Sequence, residues 1–276
     1  MTGTVDLHAH TTASDGVLRP AQLVDHARAV GLAAVAVTDH DTTAGLPEAL
    51  AAARGTELEV VPGVEISTSH GGVEVHLLGY FVDPEFPDLA RRLASRRDDR
   101  EERARAMVHR LVELGVPIDY EDVAREAGEG AVGRPHVAAA LVARGWARDK
   151  QDAFDRWLAD GRPAALPKPL YPLADAIALL LEHGAVPVLA HPGLLRPPEL
   201  LPEILELGIL GLEVFYPKHA PDQVARLRAL AEGRGLVATG GSDFHSPAQP
   251  APLGGQRVPL EVLEALRSRS STRSPA

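Results

Sequence analysis

Histidines and carboxylates follow the short apolar runs of this sequence. His8 and His10 come after the first run, His40 after the second, Glu65 after the third and His191 after a later one. The other side chains of this kind are Asp15, His76, Asp243 and His245. Neutral imidazoles and ionised carboxylates suit Zn²⁺, Mn²⁺ and iron, and one carboxylate can bridge two ions. The nine side chains together predict a cluster of divalent metal ions.

The apolar runs alternate with amphipathic stretches, which is typical of βα units on a mainly parallel sheet. Seven strands are predicted, at Thr4–Leu7, Ala33–Val37, Leu58–Val61, Val73–Phe81, Val186–Ala190, Gly211–Phe215 and Leu236–Thr239. Helices are predicted at Pro20–Val30, Gly45–Ala53, Leu173–His183, Asp222–Glu232 and Leu260–Arg267. The carboxyl ends of parallel strands meet at one end of a barrel, so we expect the ligands to converge there.

Roughly a hundred residues between the fourth and fifth predicted strands carry helical patterns instead of strands. The candidate helices are Pro84–Leu114, Glu121–Ala127, Pro135–Arg144 and Gln151–Leu158. We expect residues 95–168 to form an inserted helical subdomain that could serve as a lid or a substrate wall. Residues 1–94 and 169–267 would then form one discontinuous α/β domain, and residues 268–276 a disordered tail.

The composition excludes several classes of function. The 276 residues contain no cysteine, which removes disulfides, thiolate metal sites and a cysteine nucleophile. No targeting signal or membrane span is predicted, and we expect a cytoplasmic protein. The net charge of −10 argues against binding polyanions over the whole surface, and an aromatic content of 4% argues against a stacking platform for long nucleic acids.

Each candidate ligand also has a structural interpretation. A single His-x-His pair such as His8 and His10 is weak evidence, and His76 could be a hydrogen-bonded core histidine. Asp39 and Asp41 flank His40, and we assign them to orienting it or to capping the next helix. The metal interpretation depends on the joint pattern, because independent structural reasons would have to place a suitable ligand at nearly every strand end.

The ordered set resembles the successive motifs of the polymerase and histidinol phosphatase (PHP) family. The motifs are His8-Ala-His10, Asp15, Thr38-Asp39-His40-Asp41, Gly63-Val64-Glu65, His76, Ala190-His191-Pro192 and Gly241-Ser242-Asp243-Phe244-His245. The resemblance implies a distorted (β/α)7 barrel with two or three divalent ions, Mn²⁺ foremost and Zn²⁺ or Fe²⁺ as alternatives. By position, it implies one ion on His8, His10, Glu65 and Asp243, a second on Asp15, His40 and His191, and a third on Glu65, His76 and His245.

Further motifs resemble a stand-alone bacterial branch of the family that has a helical insertion. They are Gly133-Arg134-Pro135-His136, Lys168-Pro169 and Glu213-Val214-Phe215-Tyr216-Pro217-Lys218-His219. The resemblance implies hydrolysis of nucleoside 3′,5′-bisphosphates, such as adenosine 3′,5′-bisphosphate, to a nucleoside monophosphate and phosphate, or of short 5′-phosphorylated RNA. Candidate phosphate-binding residues are Arg134, His136, Lys168, Arg100 and Arg103. Arg134 could instead pair with a carboxylate, and His136 could serve the start of a helix.

The expected reaction is attack on phosphorus by a hydroxide that the metal ions hold. Asp15 and His191 would act as catalytic ligands, and His219 is a candidate proton donor to the leaving oxygen. Two alternatives remain open at this point. The same cluster could hydrolyse an amide or a lactone, or the chain could be a metal-binding module without catalysis.

Overall fold

Seven strands form the walls of a barrel in a computed structural model that describes residues 3–84, 87–128, 132–166 and 171–271. All strands in chain order are β1 Thr4–Asp6, β2 Ala34–Val37, β3 Glu59–His70, β4 Val73–Tyr80, β5 Tyr171–Pro172, β6 Val186–Leu189, β7 Gly211–Phe215, β8 Val237–Gly240 and β9 Val258–Pro259. The sheet order is β8-β7-β6-β4-β3-β2-β1-β9, and the short β5 pairs with β3. Seven of these strands correspond to the seven predicted ones.

The first and last barrel strands meet through backbone hydrogen bonds just beyond the sheet ladder. The Leu7 amide donates to the Gly240 carbonyl at 3.2 Å, and the His10 amide donates to the Phe244 carbonyl at 2.8 Å. Glycine is required at this junction, since a Cβ on Gly241 would lie 2.4 Å from the Cβ of His8. The predicted distorted seven-stranded barrel is confirmed.

One strand of the barrel runs against its neighbours. β4 is antiparallel to both β3 and β6. The turn at Gly71-Gly72 has positive φ at both residues, and so tight a turn can only join antiparallel strands. β3 also runs well past the predicted end at Val61, because β4 pairs with it as far as His70. Since β4 is reversed, its early residue His76 lies at the end where the parallel strands finish.

The helices largely agree with the predicted ones. Their bounds are α1 Pro20–Ala29, α2 Leu46–Ala53, α3 Pro87–Glu113, α4 Tyr120–Ala127, α5 Arg134–Ala143, α6 Lys150–Ala153, α7 Leu173–Glu182, α8 Leu200–Leu205, α9 Pro221–Arg234 and α10 Leu260–Arg267. α6 continues as a π-helical turn over Phe154–Leu158, where one longer α-helix was predicted. α8 was not predicted, because six residues are too short for a periodic signal.

The barrel strands are buried on both faces. In β2, Ala34 and Ala36 pack into one hydrophobic cluster with Val5, whereas Val35 and Val37 pack into another with the surrounding helices. This alternation follows from the two-residue period of a strand. A third cluster is built from buried side chains of the segment between β4 and β5, the first of them Ala104 and the last Ala164. The helical segment thus has its own apolar core.

The C-terminal segment was expected to be disordered, but its first residues make hydrogen bonds to the rest of the chain. The Ser271 amide and the Ser270 hydroxyl both donate to the Gly184 carbonyl, and Arg269 donates to the Gly235 carbonyl. These bonds hold residues 268–271 against the barrel, while residues 272–276 lie outside the described part. Among the described residues, no helix is both long enough and apolar enough to cross a membrane.

Candidate metal centre

Glu65 lies at the centre of the converging strand ends and is almost completely buried. Its carboxylate oxygens are surrounded by imidazole nitrogens from five histidines. One oxygen lies 3.3 Å from His8 Nε2, 3.3 Å from His10 Nε2 and 3.1 Å from His40 Nδ1; the other lies 3.0 Å from His76 Nδ1 and 3.3 Å from His191 Nε2. A carboxylate with imidazole nitrogens beside both of its oxygens would hold metal ions together with those histidines.

The remaining three candidate ligands lie beside His10. An Asp243 oxygen is 3.2 Å from His10 Nε2, and an Asp15 oxygen is 3.7 Å from His10 Nδ1. His245 Nε2 lies 3.3 Å from the same Asp15 oxygen. The structure therefore brings all nine predicted side chains together at one end of the barrel.

The grouping within the cluster differs from the one that the resemblance implied. His245 joins Asp15, His10 and His40, whereas His191 joins Glu65 and His76. The reason is the order of the strands. The chain after β8 pairs with the chain after β1, which carries His245 towards Asp15, and β6 lies beside β4, which carries His191 towards His76. His191 and His245 thus exchange places relative to the expected assignment.

Several ligand atoms in the cluster are buried without a hydrogen-bond partner. They are His8 Nε2, both ring nitrogens of His10, His40 Nδ1 and one oxygen of Asp15. An unpaired buried polar atom costs about 1–3 kcal/mol, so five together would be strongly destabilising. Divalent ions would satisfy all five atoms at once, and the residues therefore fit a metal cluster.

The electrostatics of the cluster also favour bound cations. Burial raises the pKa of Glu65 and Asp15, but His40 and its neighbouring histidines outweigh burial and hold both pKa values well below their usual range. Burial lowers the pKa of His76, but the Glu65 carboxylate outweighs it and raises the pKa to about 9. Burial lowers the pKa of His40 to about 3. Ionised carboxylates are thus concentrated where positive charge is needed to balance them.

Backbone strain accumulates at the same strand ends. Among the described non-glycine residues with positive φ are Asp41 at 50°, His191 at 32° and Asp243 at 51°. The left-handed region is unfavourable for residues with a Cβ, and such residues concentrate at functional sites. Two of the three are candidate ligands, and the third flanks one.

Glu213 supports the candidate ligands His8 and His191, a role that was not predicted from the sequence. Its buried carboxylate accepts a hydrogen bond from His8 Nδ1 at 2.8 Å and another from the His191 amide at 2.7 Å. Because the carboxylate fixes the proton on Nδ1, His8 Nε2 is left free for a metal ion. The residue lay within a motif quoted from the sequence, but its role depends on a contact that spans 205 positions.

Two other polar residues fix the loops that carry ligands. Tyr216 donates to the second oxygen of Asp243 at 2.8 Å. Asp39 accepts from the amide and hydroxyl of Thr11 and from the hydroxyl of Ser14, each at 2.7 Å. These bonds hold the loop that leads to Asp15, whereas Asp39 was expected to orient His40 or to cap the next helix.

Three arginines line a cavity of about 190 Å³ that reaches the metal centre. Arg100 and Arg103 come from α3, and Arg134 begins α5. The same cavity is lined by His136 and by the candidate ligands Asp15, His40 and His76. Lys168, the remaining candidate phosphate-binding residue, lies outside the described residues.

Carboxylates and backbone carbonyls hold the arginines in place. Arg100 contacts Asp41 at 2.5 Å and Ser67 at 2.9 Å, and its Nε is buried without a partner. Arg103 donates to the Leu166 carbonyl. Burial, together with the like charge of Arg134, lowers the pKa of Arg103 to about 10. The crowded cations would be stabilised by a bound anion.

The sequence left open whether Arg134 and His136 bind phosphate or make structural contacts. The structure shows structural contacts for both, within the cavity that could also hold a phosphate. Arg134 lies 2.8 Å from an oxygen of Asp160, which is exposed, and 3.7 Å from Glu74. His136 Nδ1 accepts the Gly133 amide at 3.1 Å, so the proton of its neutral ring is on Nε2. Burial lowers the pKa of His136, which favours this neutral form.

The His219 ring packs against the turn that follows His191. Its Nε2 accepts the Gly193 amide at 3.0 Å, and its Nδ1 therefore donates to the Val214 carbonyl at 2.9 Å. Both ring nitrogens are occupied by backbone groups, so His219 fixes the turn after His191. This placement differs from the expected proton donor, because no ring proton is left for a leaving oxygen.

Comparisons with known proteins agree with this site. Residues 6–117 match the PHP domain family. The chain is 37% identical over 251 residues to a 3′,5′-nucleoside bisphosphate phosphatase from Chromobacterium violaceum, covering 89% of this chain and 88% of that protein. It is 36% identical over 256 residues to the 5′-3′ exoribonuclease Rnm of Escherichia coli, covering 90% of this chain and 87% of that protein.

Two solved structures have the same fold as this chain. A crystal structure of a proposed metal-dependent phosphoesterase from Bifidobacterium adolescentis superposes with a TM-score of 0.89 at 34% identity, covering 97% of this chain and 96% of the other. A sulfate-bound, metal-free protein from Chromobacterium violaceum, described as an amidohydrolase, superposes with a TM-score of 0.84 at 34% identity and covers 96% of both chains. The chain belongs to the PHP family and is a metal-dependent phosphoesterase.

Proposed function

We propose that this phosphoesterase hydrolyses small phosphorylated nucleotides that carry a second phosphate. The substrates are nucleoside 3′,5′-bisphosphates, such as adenosine 3′,5′-bisphosphate, and short 5′-phosphorylated RNA. The products from a bisphosphate would be a nucleoside monophosphate and inorganic phosphate. The relatives named as a bisphosphate phosphatase and as exoribonucleases support this choice.

The observation that carries the proposal is the cavity that joins three guanidinium groups to the metal centre. Arg100, Arg103 and Arg134 line the same cavity as Asp15 and His76. A guanidinium group offers paired N–H donors that match phosphate oxygens. A phosphate held by the arginines would leave a neighbouring phosphoryl group of the same nucleotide at the metal centre. This arrangement favours a substrate with two phosphates over a simple phosphomonoester.

We assign nine side chains to the metal ions: His8, His10, Asp15, His40, Glu65, His76, His191, Asp243 and His245. The three groups in the structure would accommodate up to three ions, and both oxygens of Glu65 would be available to them as ligands. Mn²⁺ is the proposed ion, with Zn²⁺ and Fe²⁺ as alternatives, since all accept mixed imidazole and carboxylate ligands. Such ions make water acidic enough to ionise near neutral pH and neutralise charge on phosphoryl oxygens.

The protein's own groups would position the substrate and the ligands. Arg100 has its Nε free for a phosphate oxygen while Asp41 and Ser67 fix its other end. His136 would donate its Nε2 proton to the same phosphate. We further propose that the helical segment 95–168 forms the wall of this phosphate pocket, because it supplies Arg100, Arg103, Arg134 and His136.

The test is a substrate panel with protein loaded with Mn²⁺ and with protein treated with a chelator. We expect turnover of 3′,5′-bisphosphonucleotides and short 5′-phosphorylated RNA only in the loaded sample. His10→Ala should lower kcat/KM by more than about a hundredfold. Even the mutation of a residue that only supports a metal ligand lowers metal affinity or activity by about tenfold to a hundredfold. His109→Ala, which changes an exposed histidine on α3, is the matched control. Failure of the loaded protein to hydrolyse any phosphoester would overturn the proposal.

The relative described as an amidohydrolase suggests a second candidate, hydrolysis of an amide or lactone. A carbonyl substrate offers no use for three clustered arginines, whereas a phosphate does. Amide and lactone substrates therefore belong in the same panel. Their turnover at a higher kcat/KM than that of the bisphosphates would favour this candidate.

A further inference from the structure

A second and larger cavity, of about 850 Å³, also reaches the metal centre. It is lined by the candidate ligands Asp15, Asp243 and His245 and by Pro135, and it shares Asp15 and Pro135 with the arginine cavity. We call the cavity lined by Arg100, Arg103 and Arg134 the arginine limb. We call the second cavity, with Lys150 and Lys218 in its lining, the lysine limb. The two limbs meet at the metal centre.

Two of the three lysines of this chain lie at the active-site end. Only three of the 28 basic residues are lysines, at positions 150, 168 and 218, and the other 25 are arginines. Lys150 and Lys218 both line the lysine limb. Both are exposed, and neither has an ion-pair partner in the described part of the chain. Their charges are therefore available to an anion from solution.

Part of the wall of the lysine limb is held in place by Gln249. The side chain of Gln249 accepts from the His245 and Ser246 amides at 2.7 and 3.2 Å, and it donates to the Ala251 carbonyl at 2.9 Å. The prolines on either side of Ala251 restrict the backbone further. The limb thus combines a preformed, partly apolar surface with two free ammonium groups, which suits a sugar-phosphate chain with its bases.

We propose that the lysine limb binds the part of an oligonucleotide attached to the scissile phosphoryl group. This inference rests on the proposed function, in which the terminal phosphate occupies the arginine limb. Water would add to the phosphorus, and the bond to the 3′-oxygen of the terminal nucleotide would break. That oxygen would gain a proton, and the phosphate would stay with the fragment in the lysine limb.

The same geometry explains how one site would serve both substrate types. With a 3′,5′-bisphosphate the released fragment is inorganic phosphate, so the lysine limb stays unused. With an oligonucleotide the fragment is a 5′-phosphorylated chain, whose following phosphates would contact Lys150 and Lys218. Lysine contacts to phosphates carry no sequence information, so the binding would be independent of sequence and sensitive to salt.

The test compares Lys150→Ala/Lys218→Ala with the wild type on a 3′,5′-bisphosphonucleotide and on 5′-phosphorylated RNAs of two, four and six residues. Two controls accompany it. Lys150→Arg/Lys218→Arg keeps both charges, and Arg28→Ala/Arg228→Ala removes two charges from exposed positions on α1 and α9. Each protein is measured at several salt concentrations, with kcat and KM determined separately.

We expect the double alanine variant to raise KM for the four- and six-residue RNAs on the order of tenfold, with kcat and bisphosphate turnover unchanged. The slope of log KM against log salt should fall by about 1.4, or about 0.7 for each phosphate contact in single strands. The arginine variant should restore both quantities, and Arg28→Ala/Arg228→Ala should change neither.

Three results would overturn the inference. They are an equal loss on the bisphosphate and on RNA, no loss on RNA of any length, and a wild type that hydrolyses the bisphosphate but no RNA. The third result would leave the proposed function intact. A wild type that hydrolyses neither substrate would instead overturn the proposed function, and the inference with it.

Discussion

Replacing Glu213 with glutamine tests whether a residue behind the ligands controls metal binding. The Glu213 carboxylate is fully buried and accepts from both His8 Nδ1 and the His191 amide. Glutamine keeps the shape but offers one oxygen and one NH₂ group. One of the two donors must therefore face another donor, and the negative charge beside His8 is lost.

The size of the effect follows from the bond that is lost. A hydrogen bond to a charged group contributes about 1.5–3 kcal/mol. Each 1.4 kcal/mol of binding free energy corresponds to about a factor of ten in affinity. If the lost hydrogen bond weakens metal binding by its full free energy, the affinity for Mn²⁺ falls by about tenfold to a hundredfold. We expect a rise of this size in the Mn²⁺ concentration that gives half-maximal activity. Saturating Mn²⁺ should largely restore kcat.

The assay is calorimetric titration of chelator-treated protein with Mn²⁺, combined with activity measured against Mn²⁺ concentration. Glu59→Gln is the control, because it makes the same substitution at a carboxylate that pairs with Arg267 outside the metal centre. An unchanged affinity in Glu213→Gln would refute the assigned role of Glu213. A loss of kcat that saturating Mn²⁺ does not restore would refute it as well.

Three further predictions concern the phosphate pocket, the helical segment and the bound ions. Arg134→Ala should raise KM for a 3′,5′-bisphosphonucleotide far more than for an aryl phosphate, and an equal rise for both in steady-state kinetics would remove its role in phosphate binding. Asp122→Asn should destabilise the protein by about 1–2 kcal/mol in urea unfolding at pH 7, because the Asp122 carboxylate accepts from the Asp119 amide at the start of α4 and from Arg144 at 2.7 Å. The Arg144 hydrogen bond lowers the pKa of Asp122 to about 2, so this difference should be full above pH 4 and shrink as the pH falls towards 2; a difference independent of pH would contradict the assignment. Removing Mn²⁺ from a solution that contains it at a hundred times its dissociation constant should lower the free energy of unfolding by about 2.7 kcal/mol for one site, and Tm by several degrees. An unchanged Tm in calorimetry would count against ions bound to the folded chain.

The sequence predicted the parts of this molecule that depend on local pattern. Short apolar runs such as the one ending at Val37 gave the barrel strands, and the ligands after them followed from where parallel strands end. The reversed β4 did not follow from its own residues, because direction is set by the turn at Gly71-Gly72. The exchange of His191 and His245 depended on which strands become neighbours, which is a tertiary property.

Supporting residues were the hardest part of the site to predict. Glu213 acts through His8 and His191, and neither its spacing nor its type distinguishes it from a surface glutamate. His219 was expected to move a proton, but its two backbone hydrogen bonds are visible only in the folded chain. The residues that bind ions thus carry a sequence signal, whereas those that position them are identified by contacts.

The most direct test of the metal centre is the metal content of the purified protein, measured by inductively coupled plasma mass spectrometry after incubation with Mn²⁺, Zn²⁺ or Fe²⁺ and removal of free ions. We expect two or three equivalents in each chain, and about one fewer in His76→Ala/His191→Ala, because these two histidines share one group with Glu65. Less than one equivalent with every ion, or an unchanged content in the double variant, would contradict this expectation.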